Sequence, residues 1–328
     1  FMKVIYDFKK LYDTDPSIII SDDHPEYLST KFARSLNSNL SVQHHFAHIA
    51  SCRAENEITG SSLGVAWDGT GFGLDNTIWG GEFILSDENN YHHIAQFKQF
   101  LLLGGEKAIK EGRRSALGVL FEVYGNDIFQ NSFLTEKLEF KRSELKIFQT
   151  MLNKKLNSPK TSSVGRLFDA VSAILGISQI SNYEGQSAMK LEFVADKNVD
   201  NYYPFEVMEL DKFIIEWKPI ILSVLDDIKK GLDISNISAK FHNTLAKIIL
   251  EIAKIIGENK VILSGGCFQN IYLLERTVEY LEKNKFNVYF HQRIPTNDGG
   301  ISLGQIAAAD IKYSEFNINS IQNSFVNT

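Results

Sequence analysis

Three short apolar runs in this chain end in a polar or glycine-rich turn, with long helical patterns between them. Ser17–Ser21 stops at Asp22-Asp23-His24-Pro25, Leu63–Trp67 at Asp68-Gly69-Thr70-Gly71-Phe72-Gly73, and Lys260–Ser264 at Gly265-Gly266. β-rich runs alternating with helices predict an α/β protein whose sheets are covered by helices. Thr77–Leu85 returns from the glycine-rich turn as the second arm of a hairpin, and Asn287–His291 reads as a further strand. Helices are expected from about Glu26, from Ser41 as N-cap, over 106–124, 135–156, 166–175 and 234–257, and from about Phe268. In the 234–257 helix, Ile237, Phe241, Leu245, Ile248 and Ile252 form a core-facing stripe.

A chain of 328 residues is too long for one small core and suits two lobes, which implies a cleft between them. No apolar run approaches the roughly 20 residues of a membrane-spanning helix, and no signal-peptide pattern opens the chain. Basic residues number 34 against 40 acidic ones and are scattered, so no nucleic-acid partner is expected. Only Cys52 and Cys267 occur, both in apolar or small-residue segments, which points to a reduced, cytoplasmic setting. The opening Phe1-Met2 suggests a piece of a longer chain, and residues 313–328 read as a polar, frayed tail.

Several constellations carry chemistry. His44 and His48, at i and i+4, stack two imidazoles on one helix face, the spacing of helical metal sites; taken alone the pair also fits structural histidines and needs further ligands, while His45 points elsewhere. Asp68 to Gly73 joins a carboxylate at a strand end to glycines that let backbone approach a phosphate. Ser264-Gly265-Gly266-Cys267-Phe268-Gln269-Asn270 crosses a strand-to-helix junction, a place for a phosphate or ribose, although tight packing alone also explains the glycines. Asp298, in Pro295-Thr296-Asn297-Asp298-Gly299-Gly300, is either an N-cap or a carboxylate ligand facing the histidines. Two imidazoles with one or two carboxylates suit Fe(II), Zn(II) or Mn(II). Gly165-Arg166-Leu167-Phe168-Asp169 and Asn182-Tyr183-Glu184-Gly185-Gln186 add polar clusters between apolar helices.

Taken together, these segments resemble the HypF family of carbamoyltransferases, in its C-terminal Kae1-like portion. Asp22 to Tyr27, Val42 to His48, Trp79-Gly80-Gly81-Glu82-Phe83, Gly104 to Ile109 and the run from Pro295 to Gln305 carry the likeness along nearly the whole chain. The resemblance implies a duplicated actin-like, sugar-kinase-like (ASKHA, Kae1-like) two-lobed α/β fold. Its first lobe would take residues 1–60 with about 295–312, and its second 61–294. It also implies that His44, His48, Asp68 and Asp298 ligate one divalent metal, iron or zinc, with His44, His48 and Asp68 catalytic. Gly69, Thr70, Gly71, Asp169, Glu184, Gly185, Gly265, Gly266 and Asn270 would surround ATP or carbamoyl adenylate. No role is implied for Asp22, His24 or His45.

The activity so implied passes a carbamoyl group from carbamoyl adenylate to the C-terminal cysteine thiol of HypE, during cyanide-ligand synthesis for nickel-iron hydrogenase. Neither paired Cys-x-x-Cys motifs nor an acylphosphatase-like segment is present, and Leu103 stands where the family tends to have proline. Synthesis of carbamoyl adenylate is therefore expected to need a separate YrdC-like domain. The rival readings are O-carbamoyl transfer to a small hydroxylated metabolite and a nucleotide-binding module without turnover.

Overall fold

The computed structural model describes residues 2–38 and 40–309, so the tail expected at 313–328 lies outside the described residues. In chain order the elements are α1 (Met2–Tyr12), β1 (Ile20–Asp22), α2 (Leu28–Ser35), β2 (Leu40–Val42), α3 (His44–Glu55), β3 (Ser62–Phe72), β4 (Ile78–Ser86), β5 (Tyr91–Phe97) and β6 (Phe100–Leu101). They continue with α4 (Lys107–Lys110), α5 (Gly112–Tyr124), α6 (Ser132–Lys137), α7 (Arg142–Lys154), β7 (Lys160–Thr161), α8 (Val164–Ile174), α9 (Gln186–Phe193), β8 (Glu206–Glu209) and β9 (Phe213–Glu216). The last are α10 (Lys218–Lys229), α11 (Ile234–Ile256), β10 (Lys260–Ser264), α12 (Ile271–Lys283) and β11 (Asn287–Phe290), and residues 301–309 are helical.

Two unequal sheets result. β1 and β2 pair in parallel, and a nine-stranded mixed sheet runs β11-β10-β3-β4-β5-β9-β8, with β7 beside β4 and β6 beside β7. This is the two-lobed α/β architecture expected. The main core lies on the large sheet, where Leu63, Val65 and Trp67 of β3 pack with α8 and α11 through Phe168, Phe241 and Leu245.

Between the layers lies α3, buried continuously from His44 to Arg53. On one side Ile49 and Cys52 meet Ala66 and Ile262 of the large sheet. On the other, Phe46, Ala47 and Ala50 meet Val42, Ala308 and Ala309. A helix buried all round needs no amphipathic stripe, so polar residues on it require partners of their own. The approach of the 301–309 helix is set by Gly304, where a Cβ would collide with the Ala47 carbonyl.

Some boundaries differ from expectation for local reasons. Ser41 lies in β2, opposite Ser21, and the cap of α3 is Gln43, whose side chain accepts from Phe46 N–H at 2.8 Å. The helix expected over 106–124 breaks at Glu111, whose carboxylate turns back to Arg113 and Arg114 at 3.1 and 3.0 Å. The one expected over 135–156 breaks near Glu139, at φ +55°. The junction after β10 is a short 3-10 turn, Gly266–Gln269, before α12 begins at Ile271.

Candidate functional site

The first turns of α3 carry His44 and His48, each side chain only 2% exposed. Asp22, at the end of β1, receives His44 Nδ1 at 2.8 Å on Oδ2 and His24 N–H at 2.8 Å on Oδ1. That bond puts a proton on Nδ1 and directs Nε2 at the cleft, the nitrogen a metal would take once the ring is neutral, as outer carboxylates do for metal-binding histidines. His45 turns away, as expected, and its ring lies 5.9 Å from that of Trp79. Burial and the nearby His44 charge hold the His45 pKa down at about 3.

Asp68 sits where the ladder of β3 and β4 slips between Trp67 and Gly71. Such a bulge re-aims the side chains it contains. Asp68 Oδ1 is occupied by Gly69 N–H at 2.8 Å and Gly266 N–H at 3.3 Å. Its Oδ2 is left to face His48 Nε2 at 3.4 Å and His44 Nε2 at 3.5 Å.

Asp298 is the fourth member. Asn297 takes the cap of the short 298–300 turn by accepting Gly299 N–H at 3.0 Å, so the capping alternative for Asp298 falls away. Its Oδ1 stands 3.5 Å from His44 Nε2 and 3.4 Å from His48 Nε2, with the side chain 68% exposed. The four donor atoms lie within 4.8 Å of one another.

Two observations test whether a cation fits. Both Nε2 atoms are buried without a hydrogen-bond partner, since their carboxylate neighbours are too distant for good bonds. The electrostatics also demand positive charge. Burial opposes the imidazolium, yet Asp22, Asp298 and Asp68 carry the His44 pKa well above its ordinary value, and Asp298 and Asp68 raise that of His48. Burial likewise opposes the Asp68 carboxylate, but the two histidines hold its pKa well below normal. A set of two nitrogens and two oxygens suits a borderline divalent ion.

The expected nucleotide residues divide across the hairpin. On one side Gly69 faces Arg166 and Glu184, each 3.4 Å from where a Cβ on Gly69 would stand. Gly185 follows at φ +75° in open space as the first residue before α9. Asp169 is buried, 3.0 Å from Arg166 Nη2, and burial with the nearby Glu184 lifts its pKa to about 6 against the pull of Arg166. Arg166 Nε and Nη1 are buried without partners. On the other side Thr70 and Gly71 line a cleft of about 440 Å³ with His24 and Tyr27.

Packing explains part of the glycine pattern. A Cβ on Gly71 would stand 2.8 Å from His44 Cδ2, and one on Gly266 would stand 2.7 Å from Asp68 Oδ1. Gly265, at φ +103°, crosses the Trp67 backbone too closely for a side chain. The Asn270 side chain is engaged within the protein, its Oδ1 capping α12 at Leu273 N–H, 2.8 Å away, and its Nδ2 lying 2.9 Å from His242 Nε2. Asp22 and Arg166 have no site signal in the local sequence, and their parts emerge only from contacts with His44 and beside Gly69.

The sequence and fold are similar to those of known proteins. The family model described as carbamoyltransferase, Kae1-like domain, second subdomain, matches residues 64–305, and that of the HypF Kae1-like domain matches residues 1–55. Carbamoyltransferase HypF of Synechocystis is 37% identical over 324 residues, 94% of this chain and 42% of that protein. The probable carbamoyltransferase HypF of Methanocaldococcus jannaschii is 34% identical over 305 residues, 90% of this chain and 39% of that protein. A crystal structure of full-length HypF in the phosphate- and nucleotide-bound form superposes with TM-score 0.88 at 41% identity, over 94% of this chain and 49% of that one. Among the described residues no helix is long and apolar enough to cross a membrane.

Proposed function

The chain belongs to the HypF carbamoyltransferase family, as its Kae1-like domain, and from that membership we propose that it moves a carbamoyl group from carbamoyl adenylate to the C-terminal cysteine thiol of a HypE-like acceptor. That reaction would serve nickel-iron hydrogenase maturation. The chain spans 42% and 39% of the two curated relatives compared. On this reading a YrdC-like domain makes the carbamoyl adenylate. The observation that carries the reading is the convergence of His44, His48, Asp68 and Asp298 within 4.8 Å, beside the Gly69 hairpin.

These four residues would hold one divalent ion. Iron or zinc bound there supplies a Lewis acid that polarises the carbamoyl carbonyl or the leaving phosphate. The protein's part is orientation. Asp22 fixes the His44 tautomer, and the Gly69 and Gly266 N–H groups keep one Asp68 oxygen occupied so that the other stays aimed. Arg166 and Glu184 flank Gly69, where the nucleotide end would lie, and the nucleotide-bound form of full-length HypF supports nucleotide binding in this family.

The acceptor sulfur, as thiolate, attacks the carbamoyl carbon. A C–S bond forms, the bond from carbon to the phosphate oxygen breaks, AMP leaves with the electron pair, and the thiol proton passes to solvent. The chain's own cysteines are poor rivals for this role. Burial, then Asp68, pushes the Cys267 thiol well above its ordinary pKa, and burial, then Glu55, does so for Cys52.

The test supplies preformed carbamoyl adenylate and a HypE-like acceptor to the wild type and to His48→Ala, following acceptor mass and bound metal. Wild type should add one carbamoyl group per acceptor, and His48→Ala should lose both metal and transfer. Wild-type transfer by a metal-free His48→Ala variant removes the metal from the reaction, and no transfer by metal-loaded wild type refutes the function.

A further inference from the structure

His44, His48, Ser51 and Glu55 follow one another at i, i+4, i+7 and i+11 along α3, so all four lie on one face of the helix. The first pair are the candidate ligands. The second pair hold the segment that brings in Asp298.

Ser51 Oγ donates to the Gly300 carbonyl at 3.0 Å. Glu55, its side chain 3% exposed, accepts on Oε1 from the N–H groups of Gln292 at 3.1 Å, Arg293 at 2.6 Å and Ile294 at 3.3 Å. Its Oε2 takes His291 Nδ1 at 2.7 Å. Successive N–H groups converging on one oxygen form an anion nest, filled here by the protein's own carboxylate. Between the nest and Gly300 the loop is tied once more, by Gly265 N–H to Thr296 O at 3.0 Å and Thr296 Oγ1 to Gly265 O at 3.1 Å.

The chain of contacts goes on to the other ligand. His291 Nε2 lies 2.9 Å from Ser264 Oγ, which lies 2.9 Å from the His48 carbonyl. Ser264, His291 and Glu55 have the order of a hydrolytic triad, but Ser264 is fully buried and its hydroxyl is engaged, so it is no nucleophile. The network has a different consequence, which is to tie the register of the late loop to the helix that carries the imidazoles.

Resting on the metal-centre reading above, we infer that Glu55, with Ser51 one turn before it, is a positioning residue that fixes where Asp298 stands relative to His44 and His48. One helix face then supplies two ligands directly and governs a third through its grip on residues 292–300. Glu55 touches no reacting atom.

Co2+ titrated into the full chain, with its visible absorption recorded, tests this. Glu55→Ala and the milder Glu55→Gln should weaken Co2+ binding about 2- to 30-fold, the range for residues that act on a distant site through a network. Their spectra should shift toward that of Asp298→Ala. Adding Glu55→Ala to Asp298→Ala should cost little more than Asp298→Ala alone, because both act through one ligand. Wild-type affinity in Glu55→Gln, or losses that multiply in the double variant, overturns the inference.

A wild-type chain that takes up no Co2+ refutes the metal reading, and Glu55 is then judged by amide hydrogen exchange. Glu55→Gln should speed exchange at Gly299 and Gly300 as well as at residues 292–294. Faster exchange confined to 292–294, or none, overturns it.

Discussion

Asp22 and His44 form a buried pair, His44 Nδ1 lying 2.8 Å from Asp22 Oδ2 with the two side chains 2% and 5% exposed. In the metal-free protein the carboxylates around His44 and His48 raise both imidazole pKa values, against the opposing effect of burial. A metal binds the neutral ring, so it must displace those protons. The sign follows: affinity should fall as pH drops below the raised pKa values and level off above them. Asp22→Asn removes the partner that orients His44 and should weaken Zn2+ binding about 10- to 100-fold. It should also flatten the pH dependence, because the His44 proton is then held less tightly. Zn2+ affinity by competition titration, with proton release read in buffers of different ionisation enthalpy, checks both. An affinity independent of pH, or an Asp22→Asn variant that binds as the wild type does, refutes the argument.

The β3–β4 hairpin shows how an element carries a site from beneath. Glu82 is fully buried, and its Oε1 accepts from Gly80 and Gly81 N–H at 3.1 Å each and from Ser162 Oγ, while Oε2 lies 2.6 Å from His93 Nε2. Next to Ser162, Ser163 Oγ lies 2.8 Å from the Asp68 carbonyl and 2.7 Å from that of Gly69. Glu82→Ala leaves buried donors and His93 unpaired, which should cost about 3–5 kcal/mol, the range for breaking a buried pair. Chemical denaturation measures it, and a loss below about 1 kcal/mol, the worth of a surface pair, makes Glu82 dispensable. The hairpin itself was legible from a strand followed by Asp68 and glycines, although β3 continues through the bulge to Phe72 instead of stopping at Trp67. So was the pairing of His44 with His48, which needs only helical spacing. Less legible were effects set across the fold. Asn297 competes with Asp298 for the cap, Asn270 bonds His242, and Ser51 and Glu55 look like ordinary helix polar residues until the late loop is laid on them. The breaks at Glu111 and Glu139 were hidden for the same reason, since Arg113 reaches both Glu111 and the Glu139 carbonyl.

At the scale of the whole molecule, the candidate ligands come from three distant stretches: α3, the bulge within β3, and the loop before the 301–309 helix. A cation bound to all four would therefore tie α3, the large sheet and the late helix together and would favour the native state. Such a ligand at a hundredfold excess over its dissociation constant stabilises by about 2.7 kcal/mol. The coupling depends on the close crossing of α3 and the late helix, where Gly304 has no room for a Cβ against the Ala47 carbonyl. Gly304→Ala should lower stability by about 1–3 kcal/mol through overpacking. Because Asp298 precedes that helix by one turn, the displacement should also weaken the site. Added Zn2+ should thus raise the melting temperature of the wild type clearly, and that of Gly304→Ala and Asp298→Ala much less. Differential scanning calorimetry with and without Zn2+ separates the two effects, since the metal-free scan isolates the packing cost. A Gly304→Ala variant that melts lower without metal yet gains the full Zn2+ increment would show that helix packing and ligand placement are independent.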